Sequence, residues 1–110
     1  MIMFYVASNR IGHGSDELGT ILMSSYLNAL TKGSPLPDVI VFVNSGVRLL
    51  AGSSPALKPL KELQAKGVKL LGCGTCLDYF ELKDRIVVGG PTNAVAITGL
   101  MLKADKVIKI

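Results

Sequence analysis

Tryptophan is absent from this chain of 110 residues, and tyrosine and phenylalanine contribute only three residues each. A nucleic-acid surface combines a basic stripe with aromatic stacking groups. Here the 12 lysines and arginines are scattered, so a net charge of +4 outlines no such stripe and nucleic acid is not an expected partner. Long apolar runs are also missing. Hydrophobic residues make up 49% of the chain, yet runs such as Val39 to Val43 stop at five residues. A membrane span needs ~20, so no membrane association is expected. The opening residues 1–8 contain neither a basic segment nor a long apolar one, and the expected location is cytoplasmic. Histidine occurs once, as His13, and cysteine twice, as Cys73 and Cys76. A Cys-x-x-Cys pair supplies two of the four ligands of a zinc site. A metal would therefore have to be shared with a second chain, and neither a metal nor an organic cofactor is expected.

The length suits one domain over residues 1–110, and the apolar residues fall into a repeating order. Ile2 to Ala7 reads as a buried strand followed by a polar, glycine-containing loop through Gly14. Ser15 is placed to cap a helix whose Leu18, Ile21, Leu22, Tyr26, Ala29 and Leu30 recur at helical spacing, with Lys32 and Gly33 closing it. Val39 to Val43 is a second strand without polar alternation, as expected when both faces of a parallel sheet are covered. An irregular stretch follows. Ser54-Pro55 then suits the start of a helix carrying Leu57, Leu60 and Leu63, and Gly67 ends it.

Val68 to Leu71 reads as a third strand, and residues 72–76 lead into a short helical segment, Leu77 to Phe80. Ile86 to Val88 reads as a fourth strand, Asn93 as the cap of a helix through Met101, and Lys106 to Ile110 as a fifth strand. Strands alternating with helices predict a three-layer α/β/α sandwich around a mostly parallel five-stranded sheet. The last helix carries Ala94, Val95, Ala96, Ile97, Leu100 and Met101, more apolar surface than one sheet face requires. A homo-oligomer is therefore expected.

Open parallel sheets bind ligands beyond the carboxyl ends of their strands, where this chain has three polar loops: residues 8–14, 44–46 and 72–76. A cysteine pair separated by two residues braces little structure, and in a reducing compartment it points to thiol chemistry. Cys73 directly precedes a helix, where oriented amides can lower a thiol pKa. Cys76 lies one turn on, close enough to resolve a persulfide or form a disulfide. The plainer alternative is that both are small buried hydrophobes. Gly12, Gly14 and Gly19 do not have the spacing of a dinucleotide fingerprint, and Asp16 and Glu17 would repel a phosphate at that helix start. His13 and Arg10 read either as loop residues or as groups that stabilise a thiolate across the rim. Asn44, Ser45, Thr92 and Asn93 read as turn and cap residues.

Residues 12–19, 42–47 and 73–80, together with Val88-Gly89 and Thr92-Asn93, resemble in order the C-terminal domain of the YedF group of sulfurtransferase-like selenium-metabolism proteins, a DsrE-like domain. The resemblance implies a DsrE-like fold and a persulfide carried on a cysteine after a central strand, at the position of Cys73, with Cys76 as possible resolving thiol. It implies sulfur donor and acceptor proteins as partners and a small sulfur or selenium carrier as the function. A dithiol redox protein using the Cys-x-x-Cys pair and a non-catalytic DsrE-like binding subunit are the alternatives. Glu81 stands where such domains commonly have glycine, and a carboxylate near the cysteine loop is expected to disfavour the thiolate.

Overall fold

The computed structural model describes residues 1–110, and its five strands form one parallel sheet. The elements run β1 (Ile2–Val6), α1 (Asp16–Leu30), β2 (Val39–Phe42), a 3-10 helix (Asn44–Leu50), α2 (Leu57–Ala65), β3 (Lys69–Cys73), α3 (Gly74–Tyr79), β4 (Gly90–Thr92), α4 (Ala94–Lys103) and β5 (Lys106–Lys109). The strand order is β4-β3-β2-β1-β5, with every neighbouring pair parallel.

This order fixes the layers. The crossovers from β1 through β4 all step in one direction, and right-handed connections of that kind place their helices on one face. The return from β4 to β5 runs back across the sheet, so α4 must cover the other. The buried residues divide accordingly. Met23 and Leu27 of α1, Leu60 and Leu63 of α2 and Leu77 of α3 pack with Val6, Ile40, Phe42 and Leu70. On the opposite face Ile97 of α4 packs with Met3, Val39, Val41 and Cys73.

Local chemistry explains most of the boundaries. Ser15 Oγ accepts the Leu18 N–H at 3.1 Å, and Asn93 Oδ1 accepts the Ala96 N–H at 2.9 Å, capping α1 and α4. Gly67, at φ +95°, terminates α2 in a Schellman turn: its N–H reaches the Gln64 carbonyl and the Val68 N–H reaches that of Leu63.

Three expectations are corrected. The fourth strand is Gly90–Thr92 rather than Ile86 to Val88, and Ile86 makes only an isolated antiparallel bridge with Ala51. β4 is an edge strand, where proline at 91 sacrifices no ladder bond to a second neighbour. The stretch after β2 is not irregular but a 3-10 helix. Finally, α2 begins at Leu57 and not at Pro55, and the Ser54 hydroxyl accepts the Ala56 N–H at 3.1 Å in the turn before it.

Candidate functional site

The carboxyl ends of β2 and β3 lie side by side, with Phe42 paired to Gly72. Each is followed by a helical turn, so the start of the 3-10 helix faces the start of α3. Asn44 takes a left-handed conformation, φ +50°, which asparagine tolerates better than most residues. Two contacts hold it there. The Ser45 hydroxyl accepts the Asn9 N–H at 3.2 Å, tying this loop to the one after β1. Gly46 sits against the Val6 carbonyl so closely that a Cβ would collide with it. The turn thus fixed aims the Asn44 N–H at Cys76 Sγ, 3.1 Å away.

The two cysteines differ. β3 extends as far as Cys73, whose side chain points to the α4 face and is 9% exposed among Met3, Val39, Val41 and Ile97. Cys76, in the first turn of α3, is half-buried and lines a cavity of about 380 Å³ with Asn44, Thr75, Tyr79 and Phe80. Both are free thiols. The expectation that Cys73 is the thiol presented at the rim is therefore corrected: Cys76 is the one that opens outward. The reason is steric, because strand alternation turns Cys73 into the sheet's second face, whereas the helical turn swings Cys76 across the strand ends.

Burial pushes the Cys76 pKa above the ordinary thiol value. The Asn44 N–H opposes that rise, and the neighbouring Cys73 adds to it through a hydrogen bond and charge. An activated, low-pKa thiol is not what this site holds at Cys76. α3 is only six residues long and supplies little dipole to counter desolvation.

Other candidates lie elsewhere. His13 and Arg10 line a separate hollow with Lys109 and Ile110 at the β1 and β5 ends, and Arg10 pairs with Asp16 at 3.1 Å. Thr92 pairs with Cys73 across the β3–β4 ladder, and Asn93 is the α4 cap. Glu81 does not line the thiol cavity. No group of three or more His, Cys, Asp or Glu side chains gathers to hold a metal ion. A larger apolar hollow of about 500 Å³ between α1 and β5 contains no cysteine or charged side chain.

Tyr79 and Phe80 had not been singled out from sequence, although residues three and four beyond Cys76 share its helical face. Their rings meet edge to face at 5.2 Å. Arg48 was also missed, and its guanidinium lies 4.4 Å from the centre of the Phe80 ring.

Comparison with known proteins places this geometry in context. The model of the DsrE/DsrF-like family matches residues 1–110. Among solved structures, the ychN protein of E. coli superposes with a TM-score of 0.72 at 22% identity, covering 100% of both chains. MTH1491 of Methanobacterium thermoautotrophicum, a protein of unknown function, gives 0.72 at 19% identity over 99% of this chain and 97% of that one. BT1422 of Bacteroides thetaiotaomicron, also of unknown function, gives 0.67 at 14% identity over 98% and 94%. Among curated proteins none matches.

Proposed function

Because the chain belongs to the DsrE/DsrF-like family, we propose that it is a small sulfur or selenium carrier that holds a persulfide on its Cys73–Cys76 pair and exchanges it with donor and acceptor proteins. Cys76 is the entry thiol. Its thiolate attacks the outer sulfur of a donor persulfide, the donor S–S bond breaks, and the electron pair leaves on the donor thiolate. Oxidation state is conserved, so neither an external oxidant nor an organic cofactor is needed. An acceptor thiolate reverses the same step. The observation that carries the reading is that Cys76 opens on a cavity while a backbone N–H, fixed by the Asn44 turn, points at its sulfur at 3.1 Å. That N–H can stabilise the thiolate and the persulfide anion alike.

The two-residue spacing of the cysteines, with Cys73 raising the Cys76 pKa, favours one second reading. If Cys73 attacks the inner sulfur of a Cys76 persulfide, a disulfide forms and hydrosulfide leaves, as in a dithiol redox cycle. Intact mass after incubation with a persulfide donor separates the two. For a carrier, Cys76→Ser abolishes the 32 Da addition while Cys73→Ser retains it. A redox cycle leaves the parent with no net sulfur gained, because the Cys73–Cys76 disulfide closes as hydrosulfide leaves, and only Cys73→Ser then retains the addition. Loading of Cys76→Ser at the parent rate would overturn Cys76 as the entry thiol. Self-association through α4 belongs to the same reading, since the apolar side chains Val95 and Leu102 are 83% and 88% exposed.

A further inference from the structure

Arg48 has no part in the sulfur exchange, yet it lies four residues beyond Asn44 in the 3-10 helix, as Phe80 lies four residues beyond Cys76. The Asn44–Cys76 hydrogen bond and the Arg48–Phe80 stack are therefore successive contacts between the same two elements. The chain's ion pairs are Met1–Asp105, Arg10–Asp16 and Lys83–Asp78, so Arg48 has no carboxylate partner. Stacking on Phe80 holds its planar fork in place. On its other side Arg48 lines a hollow of about 200 Å³ with Asn9, Thr20, Ser53 and Ser54, and no acidic side chain lines it.

We propose that Arg48 is the head-group site for a small thiol persulfide bearing a carboxylate, whose outer sulfur meets Cys76 while the guanidinium, stacked on the Phe80 ring that lines the thiol cavity, holds the carboxylate. The proposal deepens the carrier reading and rests on it for the sulfur step. Cys76 thiolate takes the outer sulfur, the donor S–S bond breaks, and the leaving thiolate carries its electron pair away still anchored by its carboxylate. Arg48 is a specificity residue for low-molecular-mass donors, which a protein donor would not need.

The test compares two aromatic disulfides of similar size, anionic 5,5′-dithiobis(2-nitrobenzoate) and neutral 4,4′-dithiodipyridine, with the modified thiol assigned by peptide mass. The expected result is that Arg48→Gln slows modification of Cys76 by the anionic reagent about tenfold, the effect of losing one charge-assisted hydrogen bond, and leaves the neutral reagent within about twofold. Arg48→Lys should retain part of the preference, and sodium chloride should erode it in the parent. Equal effects on both reagents, no effect on either, or failure of both to reach Cys76 in the native parent would each overturn the proposal. A second arm measures sulfur loading from the persulfide of 3-mercaptopropionate and from that of its amide. If the parent loads from neither, the carrier reading fails, while the disulfide reagents still judge Arg48.

Discussion

At Cys76 three influences compete, and their order determines how the thiol behaves. Burial and the neighbouring Cys73 favour the protonated form, while the Asn44 N–H favours the thiolate. The net direction is upward, so the thiol is mostly protonated at neutral pH, and the minority thiolate is the stronger nucleophile for its higher basicity. Cys73→Ala removes a group that raises the pKa and leaves the Asn44 contact in place. An acid relieved of a neighbouring like charge ionises more readily, so the pH profile of Cys76 alkylation should move to lower pH. Iodoacetamide rates measured across the alkaline range check this. A profile that stays put, or moves to higher pH, would mean that Cys73 does not govern its neighbour's ionisation.

Helix α3 carries Cys76, and the way it stops is as informative as the way it begins. The Glu81 N–H bonds to the Asp78 carbonyl and the Leu82 N–H to that of Leu77, with buried Leu82 following directly. This is a Schellman ending whose left-handed residue, at φ +56°, is Glu81 rather than glycine. Relief of that conformation should let Glu81→Gly stabilise the protein by about 1 kcal/mol, less whatever unfolded-state entropy glycine adds. Urea unfolding measures it, and a lower midpoint would contradict the assignment. Position 81 thus has a backbone role at the end of α3.

The elements themselves were legible where a physical signal is local. Ser15 and Asn93 announce their helices, Gly67 announces an ending, and the unbroken apolar run at Val39 announces a buried parallel strand. Other features depended on the neighbour. Ile86 and Val88 have stronger strand chemistry than Gly90-Pro91-Thr92, but Leu71, Gly72 and Cys73 pair with the latter. Gly72-Cys73 likewise has little intrinsic strand preference, so neither the extension of β3 to Cys73 nor the burial of that thiol could be read locally. Asn44-Ser45-Gly46 looks like a turn, and only its seating against Val6 makes it an aiming device for Cys76.

For the molecule as a whole, the two faces of the sheet are unequally covered. α1, α2 and α3 shield one, and α4 alone shields the other, leaving Val95, Leu102 and Val107 exposed at 83%, 88% and 41%. Such a cluster on the thinner layer is expected to bury itself against another copy. Sedimentation should show an assembly larger than a monomer at high micromolar concentration, and Val95→Glu with Leu102→Glu should shift it towards monomer without loss of helical signal. A parent that sediments only as monomer would rule this out. Growth along the sheet is discouraged instead, because the free edge strand β5 carries lysines at 106 and 109.

The return of the chain from β4 across the sheet to β5 also has a consequence in time. β1 is made before the other four strands, but its second neighbour is β5, with Ile2 paired to Lys106 and Tyr5 to Lys109. The hydrogen-bonding edge of Met3, Phe4 and Tyr5 therefore stays open until residues 106–109 have been made. The oldest strand waits for the youngest, and a nascent chain paused before residue 106 presents an apolar strand edge to whatever chaperone or sister chain is at hand.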